Sequence, residues 1–282
     1  MLNPVAVRLN MLSPVFALHQ WFRHSAILWG VYGLSLLLTP AAARATVFNW
    51  PDSSWAAGAP APGQTVNQSF TSVTPNDITV SINNNGASAQ GATWQSGYPA
   101  INSTKFTGGF TGVDALQFLV SSESSLSASI KTTVTFNTPV INLSFQIWDV
   151  DASSGQFADK ISQIQALAQG GPTVGPDTVT SAVAGYNTIT GSGLSTVVLG
   201  TANANDATNQ GTITITFLGP ITQFSFEWSN NDPGLGAQGI ALGPLTYDIV
   251  PEPCEGLGVA LLCAVVIAAR TITRRKHASI RP

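Results

Sequence analysis

The chain has 282 residues, of which 44% are hydrophobic and only 9% charged, and its formal net charge at pH 7 is −3. Between residues 46 and 250 there are three lysines against twelve aspartates and glutamates, a net charge of −9, and neither histidine nor cysteine. This composition excludes a Ser-His-Asp triad, a Cys-His pair and a histidine-ligated zinc in that segment, and it leaves no basic groove for nucleic acid. We therefore expect a non-enzymatic protein with an anionic surface and no nucleic-acid partner.

The N-terminal segment, residues 1–45, has the three parts of a secretory signal peptide. Basic residues precede an apolar run, Ser25–Leu38, and small residues follow it in Ala43-Arg44-Ala45. A positively charged region, a short apolar helix and an A-x-A exit are the features of an exported, cleaved leader. We expect a signal-peptide helix, passage through the Sec export machinery, and cleavage by signal peptidase between Ala45 and Thr46.

Residues 46–250 contain many short runs of alternating, β-branched residues bounded by Gly, Pro, Asn and Asp. Such runs, separated by residues that tolerate or preset turn geometry, are typical of β-strands joined by turns. The pattern predicts an all-β fold, a single β-sandwich or jelly-roll-like domain. One run, Ile161–Ala168, also fits the apolar spacing of a helix, and we interpret it as a strand.

Two stretches of this segment resemble each other. Val134–Val140 leads into Leu143-Ser144-Phe145, and Ile215–Ile221 leads into Phe224-Ser225-Phe226. Each copy has an alternating run, a proline and a second alternating run. The pattern predicts two hairpins at equivalent positions, with their aromatic residues in the core.

An acidic motif, Asp149-Val150-Asp151, lies at the end of the strand predicted over Ile141–Val150, and Asp159 follows it. Ca²⁺ prefers several carboxylate and carbonyl oxygens at short range, and side chains two residues apart share one face of a strand. The motif is not an EF-hand, because its glycine arrives one position late and a lysine replaces the final glutamate. Two interpretations remain: a Ca²⁺ site with Asp149, Asp151 and Asp159 as ligands, or a solvated acidic loop.

Trp148 precedes the acidic motif, and strand alternation places it on the opposite face from Phe145 and Ile147. We therefore expect Trp148 to be exposed and available to stack on a sugar ring. A Ca²⁺-assisted module that binds exopolysaccharide is accordingly an alternative function.

Two other motifs, a row of threonines and a glycine-rich run, are weaker indications of function. Threonines at 212, 214 and 216 share one strand face, which gives an ice-binding surface as a further alternative. The run Gly234–Gly239 matches G-x-G-x-x-G, but a strand-like segment follows it where a dinucleotide site requires a helix. We do not predict a nucleotide site there.

The C-terminal segment, residues 251–282, has three ordered features. Val250-Pro251-Glu252-Pro253 is an extended spacer, because proline fits neither a β-ladder nor a helix interior. The apolar run Gly256–Ala269 follows, and Arg274-Arg275-Lys276 supplies the positive charge that stays on the cytoplasmic side of a bilayer. The apolar run alone is shorter than a membrane span of ~20 residues, so the predicted transmembrane helix extends over about 254–273.

In order and spacing this segment resembles the PEP-CTERM sorting tail, which carries a Pro-Glu-Pro motif, one membrane helix and a basic end. The resemblance covers about the last tenth of the chain. It implies recognition and cleavage by an exosortase, a membrane protease-transpeptidase, in the envelope of a Gram-negative host that produces exopolysaccharide. We accordingly expect an exported cell-surface or extracellular-matrix protein. The C-terminal helix would hold it transiently in the inner membrane with the β domain outside.

Overall fold

The computed structural model describes residues 45–51, 55–71, 76–85, 93–121, 128–234 and 236–250. Two predicted segments lie outside the described residues: the signal peptide as far as residue 44, which includes Ala43, and the tail after Val250. The described residues form sixteen β-strands and one 3-10 turn, Gly193–Ser195, and contain no α-helix. The all-β prediction is confirmed.

The first eight strands are short, apart from β7 with its 20 residues. They are β1 (Ala45–Phe48), β2 (Thr65–Phe70), β3 (Ile78–Asn84), β4 (Thr93–Trp94), β5 (Ala100–Asn102), β6 (Ala115–Ser121), β7 (Ser129–Trp148) and β8 (Ala152–Ser153). The later strands are β9 (Phe157–Ala168), β10 (Thr173–Val174), β11 (Thr178–Ser181), β12 (Asn187–Thr190), β13 (Val197–Gly200), β14 (Ile213–Phe217), β15 (Ile221–Asn230) and β16 (Ala237–Ile249). The ambiguous run Ile161–Ala168 lies within β9, so its interpretation as a strand is confirmed.

The long strand β7 connects two groups of antiparallel strands. Its first part pairs with β3 and β15, in the order β2-β3-β7-β15-β9-β13-β12. Its last part pairs with β14 and β16, in the order β11-β14-β7-β16-β6. The acidic motif follows directly where β7 leaves the second group.

The prediction of two hairpins is wrong. Asn137, Thr138 and Pro139, predicted as a turn, continue as strand within β7. The strands of the second copy, β14 and β15, are separate, and both pair with β7. Ile215 lies opposite Phe145, and Phe224 lies opposite Val134, so the two similar stretches pair with each other.

The core lies between the two groups of strands. The rings of Phe145 and Phe224 stack with centroids 4.3 Å apart, and Phe118 meets Trp228 edge-on at 6.3 Å. Each contact joins one strand from either group. The four aromatic residues predicted for the core are all buried: Phe136, Phe145, Phe217 and Phe226.

Strand β16 runs from the acidic motif to the predicted tail. Near its start, Gln238 pairs with Val120 of β6. Near its end, Asp248 lies opposite Ala45, the first residue of β1. The first and last strands of the described chain are therefore neighbours, and the predicted cleavage point falls between the first two residues of β1.

Candidate functional site: an acidic cavity at the end of β7

The backbone turns sharply at Asp149, where β7 ends. Asp149 has φ +63°, a left-handed conformation that aspartate and asparagine adopt more readily than most residues. The N–H of Val150 then donates to the carbonyl of Gly211 at 2.9 Å. Asp149 therefore does not continue strand β7, although the sequence predicted a strand as far as Val150.

The three predicted ligands Asp149, Asp151 and Asp159 come together and are buried. Asp151 Oδ2 accepts the N–H of Ala204 at 2.7 Å. Asp159 uses both oxygens: Oδ2 accepts the N–H of Asp151 at 3.1 Å, and Oδ1 accepts Nε1–H of Trp228 at 2.7 Å. Asp149 differs from both, because its Oδ1 is buried without a hydrogen-bond partner.

Asp149 and Asp151 line a cavity of about 340 Å³ together with Asp206 and Gln238. We call this the acidic cavity. Asp159 does not line it. Asp206 comes from the exposed loop between β13 and β14, whereas Gln238 at the start of β16 is 5% exposed and its Oε1 has no partner.

Sequence reasoning missed Asp206 and Gln238. They lie 57 and 89 positions after Asp149 in the chain, and no local motif connects them with it. The only sequence signal was indirect: Gln238 falls inside the glycine-rich run Gly234–Gly239. That run leads into strand β16, where the sequence predicted a strand-like segment instead of a helix.

Negative charge in the acidic cavity is poorly compensated. Burial, followed by the nearby charges of Asp151 and Asp206, raises the pKa of Asp149 to about 8. The pKa of Asp151 rises to about 6, chiefly through burial, against the lowering effect of its hydrogen bond from Ala204. Burial, followed by the charge of Asp151, also raises the pKa of Asp159 well above its ordinary value. These carboxyl groups would therefore be ionised together more readily if a positive charge lay beside them.

The side chain of Lys105, which is exposed, lines the same cavity. Among the described residues, no group of three carboxylate, imidazole or thiol side chains stands ready to hold a metal ion by itself. A cation bound here would need amide, backbone or water oxygens in addition to the carboxylates.

Close backbone packing fixes the position of the acidic motif. Gly200, at the end of β13, lies so near Asp151 that a β-carbon there would collide with the backbone oxygen of Asp151. An ideal β-carbon on Gly211 would lie 3.0 Å from Cα of Asp149. Two glycines thus allow neighbouring segments to approach the motif without a side chain between them.

The prediction that Trp148 is exposed is wrong. Trp148 is 1% exposed, because the loop between β5 and β6 covers it. The ring of Phe110 from that loop lies 5.3 Å from the ring of Trp148, centroid to centroid, and Phe110 itself is 45% exposed. The exposed aromatic side chain in this region is therefore Phe110, which borders a hollow of about 360 Å³.

The threonine row considered for ice binding is interrupted. Thr212 is 1% exposed and its hydroxyl is buried, whereas Thr214 and Thr216 remain half-buried on β14. A flat ice-binding surface needs all of its hydroxyl groups at the surface. The geometry does not favour this alternative.

Comparison with known proteins adds no family assignment. No protein-family model matches the chain, and no curated protein matches it significantly. In the part of the chain that the structure describes, no helix has the length and apolar character needed to cross a membrane. The segment predicted to do so, about 254–273, lies outside the described residues.

Proposed function

We propose that this is an exported, non-enzymatic surface or matrix protein whose β-sandwich, jelly-roll-like domain is sorted through a PEP-CTERM tail. The observation that supports it best is the position of the tail relative to the fold. Strand β16 ends at Ile249, and Val250-Pro251-Glu252-Pro253 begins at the next residue. The predicted recognition motif therefore starts directly after the last described strand.

This position suits cleavage by an exosortase. A protease needs an extended substrate, and two prolines prevent the motif from continuing the pairing of β16. Ile249 and Val250 are only half-buried, so the chain is already leaving the core at this point. Cleavage would release the domain without disturbing a buried strand.

The test of sorting is the mass of both termini of the mature protein, measured separately in medium and membrane fractions of a host that carries an exosortase. We expect released protein to begin at Thr46 and to end near Val250–Pro253. Replacing Pro251-Glu252-Pro253 by three alanines should keep the protein in the membrane with an intact C-terminus. Glu255→Gln, a nearby change outside the motif, is the matched control.

An intact C-terminus in the membrane fraction alone, for the native sequence, would contradict sorting. The protein would then be a single-pass anchored protein.

Binding of exopolysaccharide is a second candidate function, and Phe110 is the observation that favours it. Its half-exposed ring borders a hollow whose lining is largely apolar and also includes hydroxyl and amide side chains, among them Ser144, Gln146 and Thr214. Sugar recognition commonly joins one aromatic face with a few polar groups. Phe110 takes the role that the sequence assigned to Trp148.

We expect Phe110→Ala to weaken binding to the host polysaccharide at least tenfold in affinity electrophoresis, with a small fall in melting temperature because the ring also packs on Trp148. Leu194→Ala is the control, because Leu194 is another exposed apolar side chain, 54% accessible, outside the hollow. Equal binding by both variants and the native protein would exclude this surface as the sugar site.

A further inference from the structure

We propose that the acidic cavity is a Ca²⁺ site whose protein ligands are the carboxylates of Asp149 and Asp151 and the side-chain oxygen of Gln238, with the carboxylate of Asp206 reaching the ion through coordinated water. The proposal concerns the folded domain alone and does not depend on how the protein is exported or sorted. It retains two of the three ligands expected from the sequence, and it replaces Asp159.

The first support is a pair of buried oxygens without partners. Oδ1 of Asp149 and Oε1 of Gln238 belong to side chains that are 6% and 5% exposed, and both line the acidic cavity. Buried polar atoms are almost always hydrogen-bonded, and a buried oxygen left unpaired costs about 1–3 kcal/mol. Two such oxygens, on side chains from the exit of β7 and the start of β16 that line one cavity, indicate a shared partner.

The second support is the chemical character of the cavity. Asp206 adds a third carboxylate from an exposed loop, and Asp151, whose Oδ2 accepts the N–H of Ala204, lines the cavity beside Asp149. A partner for several oxygen acceptors and crowded negative charge must be positive. Hard divalent cations prefer such all-oxygen sites.

Ca²⁺ fits the cavity better than Mg²⁺. Ca²⁺ accepts six to eight oxygen ligands in irregular geometry, whereas Mg²⁺ demands a near-ideal octahedron. The residues that would hold the ion come from a strand exit, a loop and a strand start, and the cavity of about 340 Å³ has room for coordinated water. This irregular arrangement favours the larger ion.

Asp159 acts as a positioning residue instead of a ligand. Its two oxygens accept hydrogen bonds from Trp228 and from the backbone of Asp151. The second of these bonds fixes the backbone at Asp151, directly beside the cavity. Asp159 is fully buried behind the motif, which also explains why it does not line the cavity.

A bound Ca²⁺ would join three distant segments of the chain at one end of the domain. They are the exit of β7, the loop between β13 and β14, and the start of β16. A backbone hydrogen bond of 2.8 Å, from Thr107 to Asp206, adds the loop between β5 and β6. The ion would therefore stabilise the native state and have no equivalent site in the unfolded chain.

The experiment uses the full-length chain, purified in a mild detergent. Terbium luminescence, sensitised by tryptophan, reports occupation of the site, and added Ca²⁺ should displace the terbium. The melting temperature should be higher by about 5–10 °C in Ca²⁺ at a hundredfold excess over Kd than in EDTA. Mg²⁺ at the same concentration should give a smaller rise.

Two variants locate the site. Asp149→Asn keeps the shape of the side chain and tolerates the left-handed backbone, and it should abolish both the terbium signal and the Ca²⁺-dependent rise. In EDTA this variant should melt no lower than the native protein, because folding must either protonate or bury the ionised Asp149 carboxylate, and asparagine avoids both costs. Asp206→Asn lies on an exposed loop and should weaken Ca²⁺ binding at least tenfold without unfolding the protein.

Asp114→Asn is the matched control. It removes the same charge from a half-exposed side chain at the opposite end of β6, and it should leave Ca²⁺ binding unchanged.

Three results would overturn the proposal. One is an identical melting temperature in Ca²⁺ and EDTA. Another is an equal Ca²⁺-dependent rise in the native protein and in both site variants. The third is a large destabilisation by Lys105→Met in EDTA together with no effect of Ca²⁺, since Lys105 would then be the positive charge that the cavity requires.

Discussion

Asp149 and Asp159 are buried carboxylates of the same motif with opposite hydrogen-bonding environments. Both oxygens of Asp159 accept hydrogen bonds, whereas Oδ1 of Asp149 has no partner. The sequence correctly placed the two residues near each other, because they flank a short connection between strands. It could not distinguish their roles, because Trp228, which donates to Asp159, and Gln238, which lines the cavity with Asp149, lie far away in the chain.

The raised pKa of Asp149 predicts how stability depends on pH when no cation is present. The unfolded state loses this proton near the ordinary value of 3.8, and the folded state retains it up to about 8. Between these values the folded state binds more protons, so raising the pH destabilises the fold, by at most about 1.4 kcal/mol per pH unit for one proton. The pKa values of Asp151 and Asp159 are also raised, chiefly by burial, so both groups add to the trend in the same direction.

We therefore expect the melting temperature in EDTA to fall between pH 5 and pH 8, with a shallower fall in Asp149→Asn. Thermal melts followed by circular dichroism at several pH values measure this. A melting temperature that rises over the same range in EDTA would contradict the assigned burial of Asp149.

At the scale of elements, β7 shows where sequence reasoning succeeds and where it stops. Alternation correctly identified both strand-like halves and their inward-facing aromatic residues. The segment at Asn137–Pro139 has the residues of a turn, and it instead marks the place where the strand changes partners, from β3 and β15 to β14 and β16. That outcome depends on strands far away in the chain, so no local pattern could have shown it.

Asn142, just after the point where β7 changes partners, has a left-handed backbone conformation. This residue has φ +53°, and its Nδ2 donates to Asp248 Oδ2 at 2.8 Å. We expect Asn142→Val to destabilise the protein by about 1–2 kcal/mol more than Asn142→Gly, because a β-branched residue strains a left-handed backbone and glycine does not. Both variants lose the hydrogen bond, so glycine is the control, and urea unfolding measures the difference.

Equal stability of the valine and glycine variants would show that the backbone at Asn142 relaxes easily.

At the scale of the whole molecule, the acidic cavity and the predicted tail lie at opposite ends of β16. Gln238 is near the start of the strand, and Ile249 is its last residue. Eleven residues of extended chain span roughly 35 Å. A domain held through its C-terminal segment would therefore present the acidic cavity on the side away from the attachment point.

The same strand also determines how the domain would bear a mechanical load. β16 is hydrogen-bonded on both sides, to β7 along one edge and to β6 and β1 along the other. Force transmitted through residues beyond Val250 would pull β16 along its own axis. Many hydrogen bonds would then have to break together, instead of one after another as in peeling an edge strand. A protein attached by this end would resist extraction by flow or traction far better than one attached through an edge strand.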